Sequence, residues 1–294
     1  MTELRELLTQ HRNHRRDVFA TLQNVPAERM SAETTWGGGP VDVRFMFLRF
    51  ADHEEEHELS VQTRLIEAGF QQTTAQRILA RAEITPGDLL SALVGLTDAD
   101  LDLTPPGEWP LRRTLAHVLT VERSYRVQTL YSIECFNAGR EFDFPPEEMR
   151  PPSMETQLDG TLSDFIARLD VARDEALAAL SDIPDDLLSV PTIWFQRPTD
   201  VRMRLMRFAH HEREHTAHIL KWREQVGRPP TEAQRLLGLA WRGRGVLEGH
   251  LVGAPGSVID AAPEGEWPIR RLLTHLSDTD VFLRDRILGA TPVG

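Results

Sequence analysis

The sequence predicts an all-α protein built as two four-helix bundles related by an internal duplication. Apolar residues recur at three- and four-residue steps, the chain matches itself at one constant offset, and no convincing strand pattern appears. Residues 36–57 read WGGGPVDVRFMFLRFADHEEEH and residues 194–215 read WFQRPTDVRMRLMRFAHHEREH, so Trp36, Asp42, Arg49 and His57 match Trp194, Asp200, Arg207 and His215 at an offset of 158. The same offset carries GEWPLRRTLAH (107–117) onto GEWPIRRLLTH (265–275), and TTAQRILARA (73–82) onto TEAQRLLGLA (231–240). One offset over so much chain points to duplication with almost no insertion or deletion.

Each copy should hold helices near 2–23, 40–68, 73–95 and 108–136, and again 158 residues later. In the second of these, Val43, Phe47, Phe50, His53, His57, Val61 and Leu65 form a helical stripe. Thr73-x-x-Gln76 and Thr231-x-x-Gln234 read as capping boxes opening the third helix of each copy. Pro110 and Pro268 suit a helix's first turn. Residues 137–158 have no counterpart at the offset, and Pro145, Pro146, Pro151 and Pro152 forbid a continuous helix there, so this stretch is a connection.

The 294 residues suit about two domains. With 40% apolar and 27% charged residues, the composition is that of a globular protein rather than a disordered or disulfide-framework chain. A net charge of −12 argues against nucleic acid as a partner. Cys135 is alone, which excludes an internal disulfide or a cysteine-rich zinc site and suits a reducing compartment. The opening MTELRELLTQHRNHRR lacks the apolar core of a signal peptide, and no apolar run is long enough to span a membrane, so a cytoplasmic location is expected. Ser-His-Asp order, a phosphate-binding glycine loop and a dinucleotide fingerprint are all missing. Gly37-Gly38-Gly39 faces Phe195-Gln196-Arg197 in the other copy, so it reads as a loop.

The histidines carry the chemistry. His53-x-x-x-His57 and His211-x-x-x-His215 place two imidazoles on one helix face, within reach of a single ion at zinc–nitrogen distances of about 2.0–2.1 Å. A single such pair on an amphipathic helix is usually solvated or hydrogen-bonded. Here the pair is duplicated on an apolar stripe, and a third histidine, His117 and His275, is duplicated on another helix. His11, His14, His210, His218 and His250 have no histidine counterpart. Three neutral nitrogens leave coordination positions for water, substrate or a thiolate. Glu54, Glu56, Glu212 and Glu214 are duplicated as well; a solvated helix face is the expectation for Glu54 and Glu212, with a role as acceptor from a ligating imidazole as the alternative. Trp36, Trp109, Trp194 and Trp267 are expected at helix starts as packing anchors. No general base can be named.

Two motifs, GEWPLRRTLAHVLTVE and FAHHEREHTAHIL, resemble the DinB/YfiT-like family. The resemblance implies four-helix bundles with a long crossover between the second and third helices. It implies a divalent metal, zinc or nickel, on one histidine of the second helix and two of the fourth. On that pattern residues 73–228 form a complete domain with ligands His117, His211 and His215, and 137–158 is its crossover. Residues 1–72 and 229–294 then form a second, split and circularly permuted domain with ligands His275, His53 and His57. The alternative grouping closes each copy on itself and puts His53, His57 and His117 together. The resemblance further implies thiol-dependent chemistry, that of transferases and isomerases using a low-molecular-weight thiol, and the function expected is a metal-dependent, thiol-linked transferase or hydrolase acting on a small-molecule substrate. A non-catalytic metal-binding or stress-associated structural module is the alternative, and a homodimer is left open.

Overall fold

The computed structural model describes residues 3–195 and 197–291. It is mostly helical, in the order α1 (Glu3–Leu22), β1 (Glu33–Trp36), β2 (Gly39–Asp42), α2 (Val43–Glu67), α3 (Thr74–Leu93), α4 (Leu111–Asn137), α5 (Leu162–Leu180), β3 (Pro191–Trp194), β4 (Arg197–Asp200), α6 (Val201–Gln225), α7 (Glu232–His250) and α8 (Ile269–Leu288). No described helix is long and apolar enough to cross a membrane.

The chain divides into two compact units. One, the split unit, comprises Met1–Gln71, Pro86–Gly95 and Pro229–Gly294; the other, the central unit, comprises Gln72–Thr85 and Leu96–Arg228. The helix α3 is therefore shared between them, changing unit at its internal Pro86. A boundary at 72/73 alone does not capture this. Proline removes one helical N–H and crowds the carbonyl four residues back. That carbonyl, Ala82 O, accepts instead from the Thr85 hydroxyl (2.9 Å) and from Arg173.

In the split unit α1, α2, α7 and α8 pack around Phe19, Met46, Phe47, Phe50, Leu237 and Leu283 at one end and Leu8, Val61, Leu247 and Leu273 at the other. Phe19 meets Phe50 and Trp241 edge-on, with ring centroids at 5.2 and 5.4 Å. Thr291 and Glu33 exchange two backbone hydrogen bonds of 3.0 Å, tying the chain just beyond α8 to β1. In the central unit α4 packs on α5 and α6, over a core that includes Leu115, Leu119, Phe165, Leu205 and Phe208.

Both capping boxes form. Thr73 and Gln76 exchange bonds of 3.0 and 3.2 Å, and Thr231 and Gln234 of 3.1 and 3.3 Å. Pro110 and Pro268 are N-caps, one position before the first turn. The 137–158 stretch is irregular apart from short 3-10 turns at Glu147–Met149 and Met154–Gln157.

Two short antiparallel hairpins, β1–β2 and β3–β4, correct the expectation of no strands. Strands of four residues leave little room for a period-two pattern, and Pro40 and Pro198 interrupt what pattern there is. Trp36 and Trp194 accordingly lie on strands rather than at helix starts. The hairpins feed α2 and α6 through Asp42 and Asp200, whose carboxylates accept from the amides of Phe45 (2.7 Å) and Met203 (2.8 Å). Those caps satisfy orphan donors and fix where the histidine-bearing helices begin. The first hairpin turns through Gly37 and Gly38 at φ 57° and 84°; the second has Phe195 at φ 46° where the first has Gly37. That left-handed conformation is free for glycine and strained for phenylalanine.

Candidate metal centre

The structure gathers the six duplicated histidines into two trios, His117 with His211 and His215, and His53 with His57 and His275. The within-copy grouping does not occur. In the central unit His211 Nε2 lies 3.1 Å from both His117 Nε2 and His215 Nε2. In the split unit His53 Nε2 lies 3.2 Å from His275 Nε2 and 3.0 Å from His57 Nε2. Nitrogens bound to one ion at 2.0–2.1 Å sit about 3.3 Å apart in a tetrahedron and about 2.9 Å apart in an octahedron. Two nitrogen pairs in each trio therefore have the spacing of a shared divalent ion, all three ligand atoms lie within 4.8 Å of one another, and each trio could hold one.

Burial suits ligation. It lowers the pKa of His211 to about 3 and of His215 and His53 to about 4, with neighbouring imidazoles adding repulsion; burial likewise lowers His57 and His117. The rings stay neutral at pH 7, the state a metal needs. Trp109, which is exposed, and Trp267 lie edge-on against His117 and His275 at 5.4 and 5.1 Å. His218 Nδ1 is 3.4 Å from His215 Nδ1. His57 Nδ1 is buried with no partner among the described residues.

The glutamates beside the first histidine of each pair are not solvated, which corrects that expectation. Glu54 is 0% exposed and Glu212 4%. The stripe Val43, Phe47, Phe50, Glu54, Val61, Leu65 accommodates Glu54 with correct helical steps, so it faces inward next to His53. Glu54 pairs with Arg15 and Arg244, and Arg15 also binds Asp280 at 2.8 and 2.9 Å. The central unit repeats this 158 residues along: Arg173 binds Glu122 (2.6 Å) and Glu212 (2.9 Å). Arg15 reaches Ala240 O at 3.2 Å and Arg173 reaches Ala82 O. Sequence reasoning passed over Arg15, Arg173, Glu122 and Asp280, although the offset that matched the histidines also pairs these.

The networks differ in charge. Two arginines face Glu54, whose pKa falls to about 2 despite burial. Glu212 has one arginine and the Thr85 hydroxyl; burial and repulsion from Glu122 outweigh Arg173 and raise it to about 7. Arg244 corresponds at the offset to Pro86, which is why the second cation is lacking.

A cavity of about 750 Å³ opens beside the central trio, lined by His117, His211 and His215 and by Tyr125, Phe144, Trp194, Phe195, Arg204, Arg207 and Glu214 among others. Tyr125 meets the His211 ring at 5.8 Å. Arg207 lies over Trp194 at 4.7 Å, donates to the Tyr125 hydroxyl at 3.4 Å and faces Glu214 at 3.6 Å. Phe144 comes from the proline-rich connection. Arg207 stood out in the sequence only as a duplicated position, and Tyr125 and Arg204 not at all; Arg204, on the buried face of α6 where the other copy has Met46, was the available signal.

A helical bundle presenting three converging histidines on two helices is the general class defined here. Residues 81–219 match the family model described as DinB superfamily, which supports a DinB-like family. No curated protein and no solved structure matches the chain.

Proposed function

We propose that the protein is a divalent-metal-binding, DinB-like protein with one three-histidine centre in each unit: His117, His211 and His215 in the central unit, and His53, His57 and His275 in the split unit. On this reading the two units descend from one duplicated bundle, the split one circularly permuted, and zinc or nickel is the resident ion. The central unit is a metal-dependent, thiol-linked transferase or hydrolase. The observation carrying this is the cavity of about 750 Å³ that opens on three converging imidazole nitrogens. Three nitrogens leave coordination positions, and the cavity gives a substrate or thiol access to them.

A bound divalent metal lowers the pKa of a coordinated thiol or water and so supplies a nucleophile near neutral pH. The remaining work falls to the chain itself. His218 orients His215 through the Nδ1 contact, turning Nε2 toward the centre. Glu214 lines the cavity and is the carboxylate placed to accept a proton. Tyr125 and Arg207 hold each other at the cavity wall and fix its shape. A small-molecule substrate, a cytoplasmic location and no nucleic-acid partner accord with the acidic charge and the single buried Cys135.

The second reading, a non-catalytic metal-binding or stress-associated module, is favoured for the split unit. There Phe282, at the position of Ser124, packs on Trp36 with ring centroids 5.8 Å apart. Cobalt(II)-loaded protein titrated with N-acetylcysteine tests the division. A sulfur-to-cobalt absorption band that His211→Ala abolishes and His53→Ala leaves in place is expected. Cobalt bound at both sites with no thiol-dependent band would assign both units to the second reading.

A further inference from the structure

The three-histidine centre leaves Arg204 unexplained. Its residue is 2% exposed, yet among the described residues its guanidinium has no carboxylate partner. Its Nη2 donates to the Ile193 carbonyl, the Tyr125 ring lies 5.5 Å away, and its Nε is buried without an acceptor. Guanidinium carries five N–H donors, and burying it without a counter-charge is costly. Burial lowers its pKa to about 10, with Arg207 adding to the effect and Tyr125 opposing it, so the charge persists at pH 7. Arg173, buried in the same unit, is by contrast held by Glu122 and Glu212. At the position of Arg204 the split unit has Met46, fully buried, so a helix of this kind packs without a guanidinium there.

Arg204 also lines the cavity that opens on His117, His211 and His215. A second buried donor, the Trp194 indole Nε1, has no acceptor among the described residues and belongs to the same lining. The same lining carries the aromatic side chains of Tyr125 and Phe144, with Glu214, which faces Arg207, as its carboxylate. We infer that the cavity binds a small organic anion, its acidic group paired with Arg204 and its apolar body against Tyr125, Trp194 and Phe144. Charge-assisted bonds from guanidinium to carboxylate or phosphate are among the strongest a protein makes, and here the counter-ion completes a buried cation. The inference deepens the proposed function by naming a ligand class for the same cavity, and rests on it only in sharing that cavity.

Calorimetric titration of the full chain, metal-free and zinc-loaded, with phenylacetate, phenyl phosphate and neutral phenylacetamide tests it. At least one anion should bind the metal-free protein tenfold or more tightly than phenylacetamide, the tighter anion telling carboxylate from phosphate. Arg204→Met should weaken that anion at least tenfold, and Arg204→Lys should restore part of the loss. Equal binding of amide and anions, absence of anion binding, or anion binding that survives Arg204→Met in folded protein overturns the inference. If Arg204→Met does not fold, the amide-to-anion comparison in the wild type decides alone. Metal content of the zinc-loaded samples is read separately, so zinc-treated protein that retains no stoichiometric metal yet still binds the anion refutes the metal centre and leaves the anion site standing.

Discussion

In both trios the first histidine of the helical pair lies 3.0–3.2 Å, nitrogen to nitrogen, from the other two, but the surroundings differ. In the central unit Ser124, Tyr125 and Arg204 stand where the split unit has Phe282, Leu283 and Met46. In the split unit Arg49 binds Glu56 through two bonds of 2.9 and 3.0 Å, whereas Arg207 holds Glu214 only at 3.6 Å and leans on Tyr125. Behind the histidines, a network of two arginines and two acids faces one of a single arginine between two acids. The ligand set is the common element. On the proposed reading, wall polarity and buried charge separate the central trio, which opens on a cavity, from the split-unit trio.

The largest expected effect tests the networks. Arg173→Met leaves Glu122 and Glu212 buried without a cation and should cost about 3–5 kcal/mol in urea unfolding. Arg15→Met should cost less, since Arg244 still binds Glu54 at 2.8 and 3.0 Å. Equal losses would erase the distinction between the two networks.

Acid sharpens the same contrast in metal-free protein. Histidines with folded pKa values near 3 to 4, against 6.5 when unfolded, bind fewer protons in the native state. Stability from them is complete above about 6.5 and is lost as pH falls toward 4. Glu212 runs the other way: raised from 4.5 to about 7, it contributes below 4.5 and loses that contribution as pH rises through 7. Glu54, lowered from 4.5 to about 2, contributes above 4.5 and loses that contribution as pH falls through 2. Glu212→Gln should therefore steepen the rise of melting temperature between pH 4.5 and 7. An unchanged slope would mean that Glu212 titrates normally.

Much of this was legible in the sequence because it repeats at the level of periodicity. The helices and capping boxes show in three- and four-residue steps, and the histidines show because matching copies filters them from unmatched ones. The networks were not read, because one helical residue turns through only about 100° and the stripe through His53 passes equally well through Glu54. The cavity was missed for a different reason. Its wall draws on α4, α6, β3 and the irregular 137–158 stretch, and no single periodicity connects Arg204 with Phe144.

The smallest effect concerns the hairpins. Phe195 is 80% exposed at φ 46°, so Phe195→Gly should relieve strain and stabilise by about 1 kcal/mol, against an opposing loss of chain entropy. Gly37→Phe, at φ 57°, should destabilise by a similar amount. Thermal unfolding of both variants reads the pair. Destabilisation by Phe195→Gly would show that the Phe195 side chain has a packing role at the cavity wall.

Elemental analysis of the purified full chain bears most directly on the two centres. Two divalent ions per wild-type chain, one in His211→Ala, one in His53→Ala and none in the double variant are expected. A wild-type protein without stoichiometric metal, or a single variant that loses both ions, would contradict two independent three-histidine centres.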